Sequence, residues 1–135
     1  MLEVEVFGAE LAPEAPVQAD VEELCELAAE SHGVSHGHVA VEYVGAERIA
    51  ALNERHRAKP EPTDVLSFPI DGPPRPGEAQ TGPRELGDIV ICPAHTADLR
   101  EAIVHGMLHL LGMDHETDQG EMLALQAELL ARAER

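Results

Sequence analysis

The stretch from His105 to His115, HGMLHLLGMDH, constrains this chain more than any other. His105 and His109 stand four positions apart, about one helical turn, so both imidazoles leave the same face and can reach a single ion. On the opposite side of that helix gather Leu99, Ile103, Met107, Leu110 and Leu111, with Arg100 near the start as the one charged intruder. The helix therefore packs by one face and offers imidazole from the other. Gly112 marks the expected helix end in the left-handed conformation, and the reversed chain brings His115 back over the pair. Three neutral imidazoles, His105, His109 and His115, then leave one tetrahedral position for water, the open arrangement of catalytic rather than structural zinc. One Zn2+ per chain is expected, although three imidazoles and a water also suit nickel or another divalent transition metal. The residue after the first histidine is Gly106. Zinc peptidases of the H-E-x-x-H type carry their general base there, so the pattern argues against a peptidase.

The remaining segments read as a small α+β unit. Residues 2–7 alternate, with Leu2, Val4 and Val6 against Glu3 and Glu5, the period of a half-buried strand. After Pro13 and Pro16, Asp20 and Glu23 resemble a capping box, and Val21, Leu24, Cys25 and Ala28 recur at helical spacing as far as Gly33. Residues 39–44 read as a second strand and 46–56 as a second helix. Lys59-Pro60-Glu61-Pro62 is extended or turning, because a residue before proline is pushed out of the helical region. Val65 to Phe68 form a short strand stopped by Pro69, and Gly87 to Cys92 a fourth, buried one. Between them, Asp71 to Leu86 is rich in proline and glycine, a surface loop placed to act as a lid. Asp98 with Glu101 is positioned to cap the histidine helix. Thr117 or Asp118 starts the last helix, whose packing side is Met122, Leu125 and Leu129 with Leu123 and Leu130. Four strands and four main helices in this order imply one small mixed sheet with helices packed mainly on one face. At 135 residues, positions 1–135 are expected to form one domain.

Apolar residues make up 44% of the chain and aromatic ones 2%, so the core must come from Leu, Val, Ile and Ala. No apolar run of membrane-spanning length occurs, and the start MLEVEVFG carries acids where a signal peptide needs bases, so a soluble cytoplasmic protein without membrane contact is expected. Cys25 and Cys92 read as small core hydrophobes. His32, His36, His38 and His95 read as surface or turn residues. The net charge of −17 runs against binding a polyanion. Six of the nine basic residues, Arg48, Arg55, Arg57, Lys59, Arg75 and Arg84, nevertheless fall between 48 and 84, leaving room for a local basic patch on an acidic body.

The run HGMLHLLGMDH, together with LNERHRAKPEPTDVLSFP at 52–69 and GDIVICP at 87–93, resembles the YbeY family of bacterial rRNA maturation factors. The resemblance spans most of residues 40–130 and implies a zincin-like α+β fold. It also implies a metal-dependent, single-strand-specific endoribonuclease acting in 16S rRNA 3′ end maturation and ribosome quality control. The partners implied are single-stranded rRNA and the ribosome or its small-subunit proteins. An ion held by the three histidines would activate a water as nucleophile. Cleaving a phosphodiester also requires a cation against the charge growing on phosphorus oxygens. Arg57 is assigned that role, because guanidinium binds phosphate through two hydrogen bonds and the family's matching arginine is regarded as functional. Asp114 could orient an imidazole or cap the turn, and Asp64 and Asp88 could serve as base or as acceptors for backbone amides. Two departures are visible: the interval from Cys92 to His105 is short for the family, and Met113 stands where tyrosine is common. Two other functions compete, a ribosome assembly factor whose metal is mainly structural, and a metallopeptidase.

Overall fold

The computed structural model describes residues 2–72 and 83–133. In it β1 (Leu2–Phe7), α1 (Gln18–Glu30), β2 (Gly37–Tyr43), α2 (Ala46–Arg57), β3 (Val65–Pro69), β4 (Arg84–Ile91), α3 (Leu99–Leu110) and α4 (Glu121–Ala133) follow in that order, with short 3-10 turns at Ala9–Leu11 and Pro93–His95. The sheet runs β1-β2-β4-β3. The pairs β1–β2 and β2–β4 are parallel, and β3 joins the edge antiparallel to β4. The fold is thus the α+β arrangement with a mixed four-stranded sheet that the pattern implies.

Alternation decides which side of the sheet each helix covers. Val39, Val41 and Tyr43 of β2 and Ile89 and Ile91 of β4 are buried in one cluster with residues of α1, α3 and α4. Leu66, Val90 and Cys92 point the other way and pack with Ile49 of α2. Three helices therefore share one face and α2 takes the other. Both cysteines are free and buried, and burial among Glu26 and Glu22 pushes the Cys25 thiol up to about 12, so it behaves as a core side chain.

Helix α3 lies close on β4 because position 106 has no side chain: a Cβ there would stand 2.6 Å from Ile89 Cγ2. Ser67 of β3 donates to the Gly106 carbonyl at 3.0 Å, a second tie between the edge strand and α3. Asp98 caps α3 as expected, accepting from the Arg100 and Glu101 amides. The other end closes as a Schellman motif: Gly112, at φ 94°, donates to the His109 carbonyl, and Met113 donates to that of Leu108.

Several local expectations give way to long-range contacts. Helix α1 begins at Gln18 with Val17 at its cap, so Asp20 and Glu23 lie inside it and form no capping box. Its start is tied instead to β1, through the Gln18 amide donating to the Val4 carbonyl at 3.0 Å. β4 begins at Arg84 rather than Gly87, because Arg84 and Glu85 pair with Gly37 and His38 before a register shift. Most of the suggested lid, residues 73–82, lies outside the described residues, as does Arg75. Helix α4 starts at Glu121, with the Asp118 carboxylate accepting from the Gly120 and Met122 amides just ahead of it. Leu123, read as part of the packing side, is 48% exposed, whereas Gln126 is buried.

Candidate metal centre

Helical spacing and the Schellman turn together assemble the three histidines. His105 and His109 follow one another along α3, with Nε2 atoms 3.2 Å apart. The reversal at Gly112 places the His115 ring 5.0 Å from that of His105 and 5.4 Å from that of His109, centroid to centroid. One ligand atom from each lies within 4.8 Å of the other two. This is the convergence expected from the sequence. A tetrahedron with zinc–nitrogen bonds of about 2.0–2.1 Å has edges of about 3.3–3.4 Å, close to the separation of the first pair.

The ring nitrogens turned away from this point decide which lone pairs are available. His109 Nδ1 lies 3.0 Å from the Met113 carbonyl, which can only accept, so Nδ1 carries the proton and Nε2 is left as a donor to an ion. The same turn that ends the helix thus orients its last ligand. Because the backbone of Met113 does this, the bond does not depend on the side chain at that position. His105 Nδ1 faces Gln126 Oε1 at 2.8 Å. Partial burial, then the neighbouring His105, hold the His109 pKa below its ordinary value and favour the neutral imidazole that a metal requires. The donor set, its spacing and the Nδ1 proton of His109 fit a divalent transition metal.

Around the histidines opens a cleft of about 690 Å³ whose walls include Arg57 from the last turn of α2 and Asp64 from just before β3. Ala58 in the left-handed conformation ends α2 directly after Arg57. The following segment is held back by buried Asn53, which donates to the Glu61 carbonyl at 2.9 Å. Among the described residues no carboxylate pairs with Arg57, and no other Arg or Lys lines the cleft. Asp64, Asp114 and Glu116 are also in its walls, so the cleft by itself is acidic.

The remaining candidates separate cleanly. Asp64 and Asp88 read as acids in apolar strands, yet both are exposed. Asp88 neighbours Ile89, which faces α3, and so points to the opposite side of the sheet from the histidines. Asp64 accepts from the Val65 amide and the Thr63 hydroxyl. Asp114 accepts from the Glu116 amide and closes the turn. His38 lies on the sheet between Glu5 and Glu85, and His32, His36 and His95 do not line the cleft. Sequence reasoning missed Gln126. Its signal was a polar residue at the i+4 position between Met122 and Leu129 on the buried stripe of α4.

A model of the family described as endoribonuclease YbeY matches residues 8–134. The chain belongs to the YbeY family. It is 40% identical to endoribonuclease YbeY of Beutenbergia cavernae over 92% of this chain and 95% of that one. It is 41% identical to the Rubrobacter xylanophilus YbeY over 91% and 86%. Its fold is similar to the solution structure of TM1509 from Thermotoga maritima, with a TM-score of 0.56 and 23% identity, over 96% of this chain and 88% of that one.

Proposed function

We propose that this chain is a zinc-dependent, single-strand-specific endoribonuclease that acts in 16S rRNA 3′ end maturation and ribosome quality control. The observation that carries the reading is the placement of Arg57 in the same cleft as the three converging imidazoles. Zinc held by His105, His109 and His115 would lower the pKa of a bound water toward neutrality and polarise a phosphoryl oxygen. Arg57 binds the scissile phosphate by two parallel hydrogen bonds and offsets negative charge as it grows on the non-bridging oxygens. The backbone carbonyl of Met113 keeps the His109 proton on Nδ1. Asp114 holds the turn that carries His115. The cleft's carboxylates repel RNA until a cation is present, which makes metal binding a condition of substrate binding as well as of chemistry.

That same acidity, on a chain of net charge −17, favours recruitment through ribosomal protein contacts over capture of free RNA. It supports the second reading, an assembly factor whose metal is mainly structural. The peptidase reading loses ground at Gly106, where any side chain meets Ile89. The two surviving readings part on Arg57→Ala. A loss of about 10²–10³-fold in single-turnover cleavage of a single-stranded RNA, with zinc content and thermal stability unchanged, supports the nuclease. Unchanged cleavage by that variant, or metal-independent cleavage by the wild type, would falsify it.

A further inference from the structure

We propose that Gln126 is a positioning residue that selects the metal-binding tautomer of His105. The inference rests on the metal reading above and goes beyond it to a residue outside the histidine signature.

Two arrangements of the His105–His109 pair compete. His109 has its proton on Nδ1 because a carbonyl oxygen faces that atom, so its Nε2 bears a lone pair. If His105 carried its proton on Nε2, it would donate across the 3.2 Å gap to His109 Nε2, and the pair would satisfy itself with no ion between them. With the proton on Nδ1, two lone pairs face one another and repel until a cation enters. The side chain next to His105 Nδ1 therefore decides whether the pair is closed or ready.

That side chain is Gln126, with Oε1 at 2.8 Å. An amide oxygen accepts and cannot donate, so this contact requires the proton on Nδ1 and leaves Nε2 open. Gln126 is 8% exposed and sits on the buried face of α4 between Met122 and Leu129, both fully buried. Packing of α4 on α3 thus sets the amide against the ring. A polar side chain buried in this apolar stripe is costly unless it is bonded, and among the described residues the Gln126 side chain bonds His105. Outer partners of metal-bound histidines fix ring orientation and proton position in this way.

The test compares wild type, Gln126→Leu and Gln126→Glu in two measurements. One is zinc affinity by competition with a chromophoric chelator, and the other is the His105 tautomer in metal-free protein by long-range 1H–15N correlation. The expected result is Nδ1–H for His105 in wild type and Gln126→Glu, a shift toward Nε2–H in Gln126→Leu, and roughly 10–100-fold weaker zinc binding by Gln126→Leu. Gln126→Glu retains or tightens the affinity, because a carboxylate accepts the same hydrogen bond. Zinc binding by Gln126→Leu equal to wild type, or a wild-type His105 protonated on Nε2, overturns the inference. Should wild type bind no zinc, the metal reading fails instead, and the tautomer measurement still decides the role of Gln126. Should Gln126→Leu fail to fold, Gln126→Glu decides: weaker zinc binding with the fold intact overturns the proposal.

Discussion

Two histidine sites in this molecule use the same side chain to opposite ends. On the sheet, His38 of β2 spends both ring nitrogens on carboxylates, Nδ1 on Glu85 at 2.8 Å and Nε2 on Glu5, and so stitches β1, β2 and β4 together. In the cleft, His105 and His109 each spend one nitrogen on a neutral oxygen acceptor and leave the other to converge. Hydrogen bonding to Glu85 and Glu5 holds the His38 pKa above its ordinary value. Desolvation and neighbouring imidazoles hold that of His109 below it. A count of eight histidines says nothing about metal binding. What matters is which nitrogen remains uncommitted, and that is set by the acceptors around each ring.

The comparison breaks most easily by truncation. His109→Ala should lose stoichiometric zinc, and cleavage of single-stranded RNA should fall by more than the roughly 10–100-fold that loss of an outer partner costs. His38→Ala should keep both, as plasma emission spectroscopy of purified protein and a single-turnover assay would show. Zinc lost from His38→Ala, or retained by His109→Ala, would erase the distinction between the two sites.

Metal removal sharpens it at a smaller scale. Zinc at a hundredfold excess over its dissociation constant stabilises a protein that binds it only when folded by about 2.7 kcal/mol. A chelator should therefore lower the thermal midpoint of wild type and His38→Ala but leave that of His109→Ala unmoved in differential scanning calorimetry.

The smallest effect is a difference of sign with pH in the metal-free chain. His38, with its pKa raised, contributes stability that is complete below the ordinary imidazole value of 6.5 and is lost as pH rises through its folded-state pKa. His109, with its pKa lowered, contributes stability present above 6.5 and lost as pH falls through its folded-state pKa. Urea midpoints between pH 5 and 8 should show His38→Gln losing the decline on the alkaline side and His109→Gln losing that on the acid side. For partly exposed His38, the contribution should stay below about 1 kcal/mol. Slopes of the same sign for both residues would show that their surroundings do not differ as described.

The part of this protein that could be read directly is the part governed by short-range geometry. Spacing of four on a helix places His105 beside His109 wherever that helix sits, and glycine at 112 reverses the chain because it enters the left-handed region without strain. The strands from 2 and 65 and the cap at Asp98 follow from the same kind of local rule. Long-range packing decided the rest. It moved the start of α1 to Gln18 through a bond to Val4, turned Asp88 to the far side of the sheet, and set Gln126 against His105 across 21 positions of sequence. Local pattern fixes the face on which a side chain stands, whereas the atom it meets depends on which element is packed against that face.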